Sequence, residues 1–130
     1  MNAIDRHIAD GTLIRNAWTG TDAEGRATAC LLAALSPEAG AARDASACPA
    51  SVMPPWLAYL TRSIDDRGSD AAWPAMVRRY ADLARRWHAL TPEQWQRLDW
   101  TARRIAVAEA ASHLSEPLPC VATVLTLLDR

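Results

Sequence analysis

Apolar positions spaced three and four residues apart predict two consecutive helices in the middle of the chain, at about 71–88 and 92–113. Thr91 is a good N-cap for the second helix, and Pro92 suits its first position. Gln94 completes a capping box with Thr91. We therefore predict a central helical hairpin around which the other elements pack.

Before this hairpin, the same periodicity predicts four shorter helices, at about 3–18, 22–35, 36–43 and 55–66. Gly11 lies inside the first helix and can break it, whereas Gly68 is the expected left-handed stop of the fourth. Asp22 or Thr21 would cap the second helix. The buried side of that second helix would consist of Ala27, Cys30, Leu31, Ala34 and Leu35.

Two further segments complete the pattern. Residues 44–55 include three prolines, which remove backbone donors, so this segment is predicted to be an ordered loop. After Pro117, apolar residues at helical spacing predict a closing helix. Asp65 and Asp66 fall in the last turn of the 55–66 helix, where the helix dipole disfavours acids. We expect a partner for them from Arg62, Arg67 or the arginines of the hairpin.

Composition supports an all-α fold. Half of the 130 residues are apolar, phenylalanine is absent and six are tryptophan. Small alanines let helices approach closely, and indole rings fill the gaps between them. We predict one domain, residues 1–130, that forms a compact irregular bundle of about five or six helices around the hairpin.

The charge is unevenly distributed. The net charge is −1, which argues against a general polyanion binder, yet residues 71–108 carry seven arginines against three acids. All fourteen basic residues are arginine, whose planar group makes bidentate contacts better than lysine does. The locally basic hairpin therefore favours a partner protein with an acidic surface.

The three cysteines, Cys30, Cys48 and Cys120, are widely spaced and have no histidine at metal-ligand spacing. We expect reduced thiols, no metal and no cofactor. The first residues lack the apolar region of a signal peptide, and the longest apolar runs are too short to span a bilayer. A cytoplasmic protein without a membrane partner is the expectation.

Glu109 and His113 are the candidate buried polar pair. Glu109 falls on the apolar stripe of its predicted helix, and His113 lies one turn further along the same face. A carboxylate at such a position must be paired or shift its pKa upward. A tuned acid beside a histidine could serve general acid–base catalysis, but we favour a structural pair because no nucleophile lies nearby in sequence.

Cys48 is a second candidate for enzyme chemistry, as a nucleophile in the proline-rich loop. Catalytic thiols need an electropositive, partly exposed setting, and no family signature surrounds this residue. We favour a small buried apolar residue that anchors the loop.

Trp100 is the most informative residue of the predicted second hairpin helix. Its helical neighbours include Arg97 and Arg104, and tryptophan ringed by arginine is typical of an interface hot spot. Alternatively, another helix covers the indole and the arginine stems pack alongside. The candidate partner-binding residues are Trp100, Arg97, Arg104, Arg103, Arg78, Arg85 and Arg86.

We therefore predict a non-enzymatic helical protein-interaction module. Small helical proteins without motifs often act as accessory or inhibitory factors of mobile elements, which is a class-level analogy. The first alternative is a nucleic-acid-binding protein that uses the arginine-rich face of the hairpin. The second is a small enzyme built on Glu109 and His113 or on Cys48.

Overall fold

The computed structural model describes residues 3–116 and 118–129 and is mostly helical, at 63% helix. Within these residues there are seven α-helices and one two-stranded sheet, so the predicted helical class is confirmed. Contacts divide the chain into two compact units, Met1–Ala89 (the first unit) and Leu90–Arg130 (the second unit). The single domain and the packing of a central hairpin stay predictions. Pro117, which precedes the predicted closing helix, lies outside the described residues.

The first unit contains five helices and the sheet: α1 (Ala3–Asp10), β1 (Thr19–Thr21), β2 (Ala27–Ala29), α2 (Leu31–Leu35), α3 (Pro37–Ala42), α4 (Pro55–Asp66) and α5 (Trp73–Ala84). Short 3₁₀ turns follow α3 and α5, at Ala45–Ala47 and Trp87–Ala89. The second unit contains α6 (Pro92–Ser112) and α7 (Pro119–Leu128). None of the helices in the described part of the chain has both the length and the apolar character needed to cross a membrane.

The predicted helix over 22–35 is wrong in its first half. β1 and β2 pair antiparallel, with Thr19 opposite Ala29. The carboxylate of Asp22 accepts hydrogen bonds from the backbone N–H groups of Glu24 and Arg26, at 3.1 and 2.7 Å. Asp22 thus closes a hairpin turn instead of capping a helix, because short acidic side chains can bond the nearby backbone in either conformation.

The first helix is also shorter than predicted. It ends at Asp10, and Gly11 follows with φ of 65°, a left-handed conformation that glycine adopts without strain. The chain beyond it runs beside β2, where the N–H of Ile14 donates to the carbonyl of Ala29 at 2.9 Å. The apolar residues after Gly11 therefore belong to an irregular, non-helical segment that bends at residues 15–18.

Elements with explicit start and stop residues lie where they were predicted. Ser36 caps α3 by accepting from the N–H of Ala39 at 3.3 Å. The bounds of α4 are the predicted ones, and Gly68 follows with φ of 88°. The proline-rich loop contains one 3₁₀ turn and no other helix in its described residues.

The core of the first unit surrounds α2. Residues 30–34 are buried on every side, and the apolar side chains around them include Ile4, Met53 and Ala58. A methyl group built on Gly40 would lie 2.8 Å from the Cβ of Ala33, so α3 approaches α2 more closely than a side chain permits. Glycine at this position lets the two helices touch through their backbones.

Only part of the apolar face of α5 lies in this core. Val77 and Tyr80 are buried, whereas Trp73 and Trp87 are half-buried and Leu83 is exposed. The helix ends at Ala84, earlier than predicted, and a 3₁₀ turn carries Trp87.

Asp65 is the buried carboxylate at the end of α4. It accepts hydrogen bonds from the N–H of Leu31 at 2.9 Å and from Nε1 of Trp73 at 3.0 Å. Arg15 donates to the carbonyl oxygens of Asp65 and Arg67, at 2.9 and 3.1 Å, and so caps the same helix end. The end of α4 therefore joins α2, α5 and the irregular segment before β1.

We expect Asp65→Asn to flatten the pH dependence of stability. Burial is the largest influence on this carboxyl and raises its pKa above the ordinary value. The folded protein then binds this proton more readily than the unfolded chain, so the stability from this group is full below about pH 4 and is lost as pH rises through the folded pKa.

Thermal unfolding of both proteins between about pH 3 and 7 measures this effect. The Tm of the wild type minus that of the variant should fall as pH rises, because the comparison cancels the other carboxyl groups. A difference that stays constant or rises would contradict the raised pKa.

Gly40→Ala should destabilise the fold by about 1–3 kcal/mol, because the added methyl group overlaps Ala33. Ala41→Ser, at an exposed neighbouring position of the same helix, is the matched control and should cost no more than about 0.5 kcal/mol. Urea unfolding of both variants provides the comparison. Equal stabilities would show that α2 and α3 separate easily.

Candidate functional site

The surface of the second unit is formed by two helices, of which α6 carries charged residues and α7 carries none. The capping box at the start of α6 is present: Thr91 Oγ1 accepts from the N–H of Gln94 at 3.3 Å, and Gln94 Oε1 accepts from the N–H of Thr91 at 2.8 Å. α7 begins with Pro119 and contains no charged residue. Neither helix has a buried residue among those described, so the unit exposes much apolar surface.

A groove of about 510 Å³ runs between these helices. Its α6 side consists of Arg97, Trp100, Thr101 and Arg104, and its α7 side of Leu127 and Leu128. Trp100 is 48% exposed, so the indole is neither a core residue nor fully solvated. The structure thus brings together three of the predicted partner-binding residues, Trp100, Arg97 and Arg104.

The arginines of α6 differ in their partners. Arg104 forms an ion pair with Asp129, which lies just after α7. Arg103 pairs with Asp99 one turn away, at 2.8 Å, and this carboxylate raises the pKa of Arg103 further above its ordinary value. The guanidinium of Arg97 forms no ion pair with the described residues, so it is the groove cation most available to a ligand.

The other predicted arginines, Arg78, Arg85 and Arg86, belong to the first unit. Arg85 pairs with Asp5 at 2.5 Å and with Asp82, which ties α5 to α1. Arg78 and Arg85 line a separate concavity between those two helices, and Arg86 is exposed beyond the end of α5. The internal ion pairs give Arg85 a structural role.

The predicted burial of Glu109 is wrong. Its side chain is 73% exposed, and that of His113 is 75% exposed. The two side chains do meet, with His113 Nε2 and Glu109 Oε1 3.2 Å apart. The apolar stripe that contains Glu109 faces solvent, since Ile105 on the same stripe is 62% exposed.

Cys48 lies in an unsuitable environment for a nucleophile. It is buried, and burial raises the pKa of its thiol above the ordinary value, which disfavours the reactive thiolate. Among the three free cysteines only Cys120 is exposed. In the described part of the chain, no three histidine, cysteine or acidic side chains are placed to hold a metal ion.

The contacts of Trp18 with Arg62 and of Trp73 with Asp65, near the end of α4, were not predicted from the sequence. Arg62 stacks over the ring of Trp18, 4.8 Å from its centroid, and pairs with Asp66 at 2.8 Å. Asp65, expected to pair with an arginine, bonds an indole and a backbone N–H. The arginine partner predicted for these two acids is therefore present for Asp66, as Arg62 one turn away, whereas Asp65 takes its donors from distant segments.

Comparison of the chain with protein-family models, curated proteins and solved structures finds no match. Functional reasoning therefore depends on the geometry of the two units.

Glu109→Gln should lower the free energy of unfolding by less than about 1 kcal/mol, because exposed ion pairs at helical spacing contribute little. Chemical unfolding near neutral pH would measure the change. A loss of several kcal/mol would mean that this side chain is buried after all.

Proposed function

We propose that the protein is a non-enzymatic interaction module that binds another protein through the groove between α6 and α7. The observation that supports it most directly is Trp100, half-exposed in a groove that also contains Arg97 and Arg104. Tryptophan and arginine are enriched among the residues that dominate binding energy at protein interfaces. The indole offers a large rigid surface, and the guanidinium groups make directed bonds.

The apolar character of α7 supports a protein partner. Leu118, Val124 and Leu127 are all exposed large apolar side chains on or next to this helix. A helix that is apolar on all sides is typical of a buried position, whereas α6 alone can cover only one side of it. A docked partner segment would remove the remaining apolar surface from water.

Charge favours an acidic partner. Arg97 is available at the groove, and the exposed ion pairs of Arg103 and Arg104 can be exchanged for carboxylates of a partner at little cost. The net charge of −1 weakens the nucleic-acid alternative, because the chain as a whole does not attract a polyanion. Binding to DNA with a steep salt dependence would select that alternative.

Location and biological role complete the proposal. Free Cys30 and Cys48 in the core suit a reducing compartment, which supports the cytoplasm as location. A role as accessory or inhibitory factor of a mobile element depends on class-level analogy alone.

Trp100→Ala should weaken partner binding by about 2 kcal/mol or more, roughly thirtyfold, while the Tm stays close to that of the wild type. Ile105→Ala is the matched control, because this exposed residue of α6 does not line the groove, and it should bind like the wild type. The partner is first captured from the native host and identified by mass spectrometry. The purified partner is then titrated with all three proteins.

Full affinity in the Trp100→Ala variant would overturn the proposal. A collapsed Tm in that variant would do the same, because the indole would then be part of the core.

A further inference from the structure

The strongest unassigned feature is a concavity of about 470 Å³ in the first unit, called here the Trp18 pocket. Its aromatic and cationic lining consists of Trp18, Tyr59, Arg43, Arg62 and Arg67. The volume lies in the range of small-molecule sites. The pocket shares no residue with the groove of the second unit, so it is independent of the function proposed above.

The wall of the pocket is fixed before any ligand arrives. The guanidinium of Arg62 lies over the indole of Trp18 and is also held by Asp66 at 2.8 Å. Asp66 in turn accepts a hydrogen bond from the backbone N–H of Asn16 at 2.9 Å. A pre-organised wall lowers the entropy cost of binding.

The charges of the pocket favour an anion. Three arginines and two aspartates, Asp44 and Asp66, line it, for a net charge of +1. Ser46 donates to Asp44 from its backbone N–H and hydroxyl group, at 2.9 and 2.7 Å, so this carboxylate is already satisfied. Arg43 and Arg67 are exposed and form no ion pair with the described residues, which leaves both guanidinium groups available.

The negative end of the α4 dipole would oppose an anion at this place, but Arg15 covers it. Its guanidinium donates to the carbonyl oxygens of Arg67 and Gly68, both at 3.1 Å. Arg67 and Gly68 follow the helix, and the same guanidinium also donates to the carbonyl oxygen of Asp65, in the last turn of α4, at 2.9 Å. The Arg15 cation therefore lies at the negative end of the dipole.

The pocket also favours a ligand that contains an aromatic ring. Tyr59 is 56% exposed on α4, and its ring is accessible for stacking beside the Arg62–Trp18 pair. Arginine binds phosphate groups in bidentate fashion, and bases stack on aromatic rings and guanidinium planes. We propose that the Trp18 pocket binds a nucleoside monophosphate, with its phosphate at Arg43 and Arg67 and its base on Tyr59.

Isothermal titration of the full chain with adenosine monophosphate at about 50 mM salt tests this proposal. We expect a dissociation constant below about 1 mM. Inorganic phosphate and adenosine, titrated separately, should each bind at least tenfold more weakly. The absence of measurable binding by adenosine monophosphate would overturn the proposal, and so would phosphate or adenosine that binds as tightly.

Variants locate the site. The Arg43→Ala, Arg67→Ala double variant and the Tyr59→Ala variant should each weaken binding at least tenfold, whereas Arg6→Ala, which removes an exposed arginine of α1, should not. The altered side chains are exposed, and circular dichroism verifies the folding of each variant. Wild-type affinity in the double variant, or equal loss in Arg6→Ala, would overturn the assignment.

Discussion

The buried carboxylate of Asp65 is the interaction on which the first unit depends. A buried charge must be paired or hydrogen-bonded, and Asp65 obtains its donors from Leu31 at the start of α2 and from Trp73 at the start of α5. If either partner moved, a desolvated carboxylate would lose a bond, at a cost of roughly 1–3 kcal/mol or more. One side chain therefore fixes where three helices meet. Because the donors are specific, it also restricts the register of those helices.

The segment before β1 is held to the same helix end. Arg15 donates to the carbonyl of Asp65 in the last turn of α4, and Trp18 stacks under Arg62 one turn before that end. The backbone of the segment finds its partners outside the segment: the N–H of Ile14 donates to Ala29 in β2, and the N–H of Asn16 donates to Asp66 in α4, both at 2.9 Å. The wall of the Trp18 pocket is a consequence of this attachment, because the same Arg62 that orders the segment also lines the cavity.

Most helix boundaries could be predicted from the sequence where a residue caps or stops the helix next to it. Ser36, Thr91 and Gly68 start or stop helices within a few residues of themselves, and the structure places those boundaries as predicted. Asp22 is the exception. Its side chain also acts on its own neighbours, but it suits a turn as well as a helix cap, and only the pairing of β1 with Ala27–Ala29 decides between the two. A strand of three residues is too short to show the apolar–polar alternation by which strands are recognised in a sequence.

Glu109 and Trp100 show a different limit, since periodicity defines the face of a helix but not what covers that face. The periodicity predicts that the stripe containing Glu109 is core, yet the Glu109 side chain is 73% exposed. For Trp100 the sequence allows either a core or a surface position, and the indole is half-exposed at the groove. Tertiary contacts, which periodicity does not contain, decide both cases.

The two units treat apolar surface in opposite ways, and this contrast carries the functional argument. The first unit buries α2 completely and even buries a carboxylate to position it. In the second unit α7 has no charged residue, and none of its described side chains is buried. Exposed apolar surface of this extent is unfavourable in water and is typical of a surface that binds a partner. The exposed indole of Trp100 lies beside that surface, and Arg97 and Arg104 line the same groove. The proposed protein-binding site is therefore on α6 and α7 and not on α5, where Arg85 is already paired within the fold.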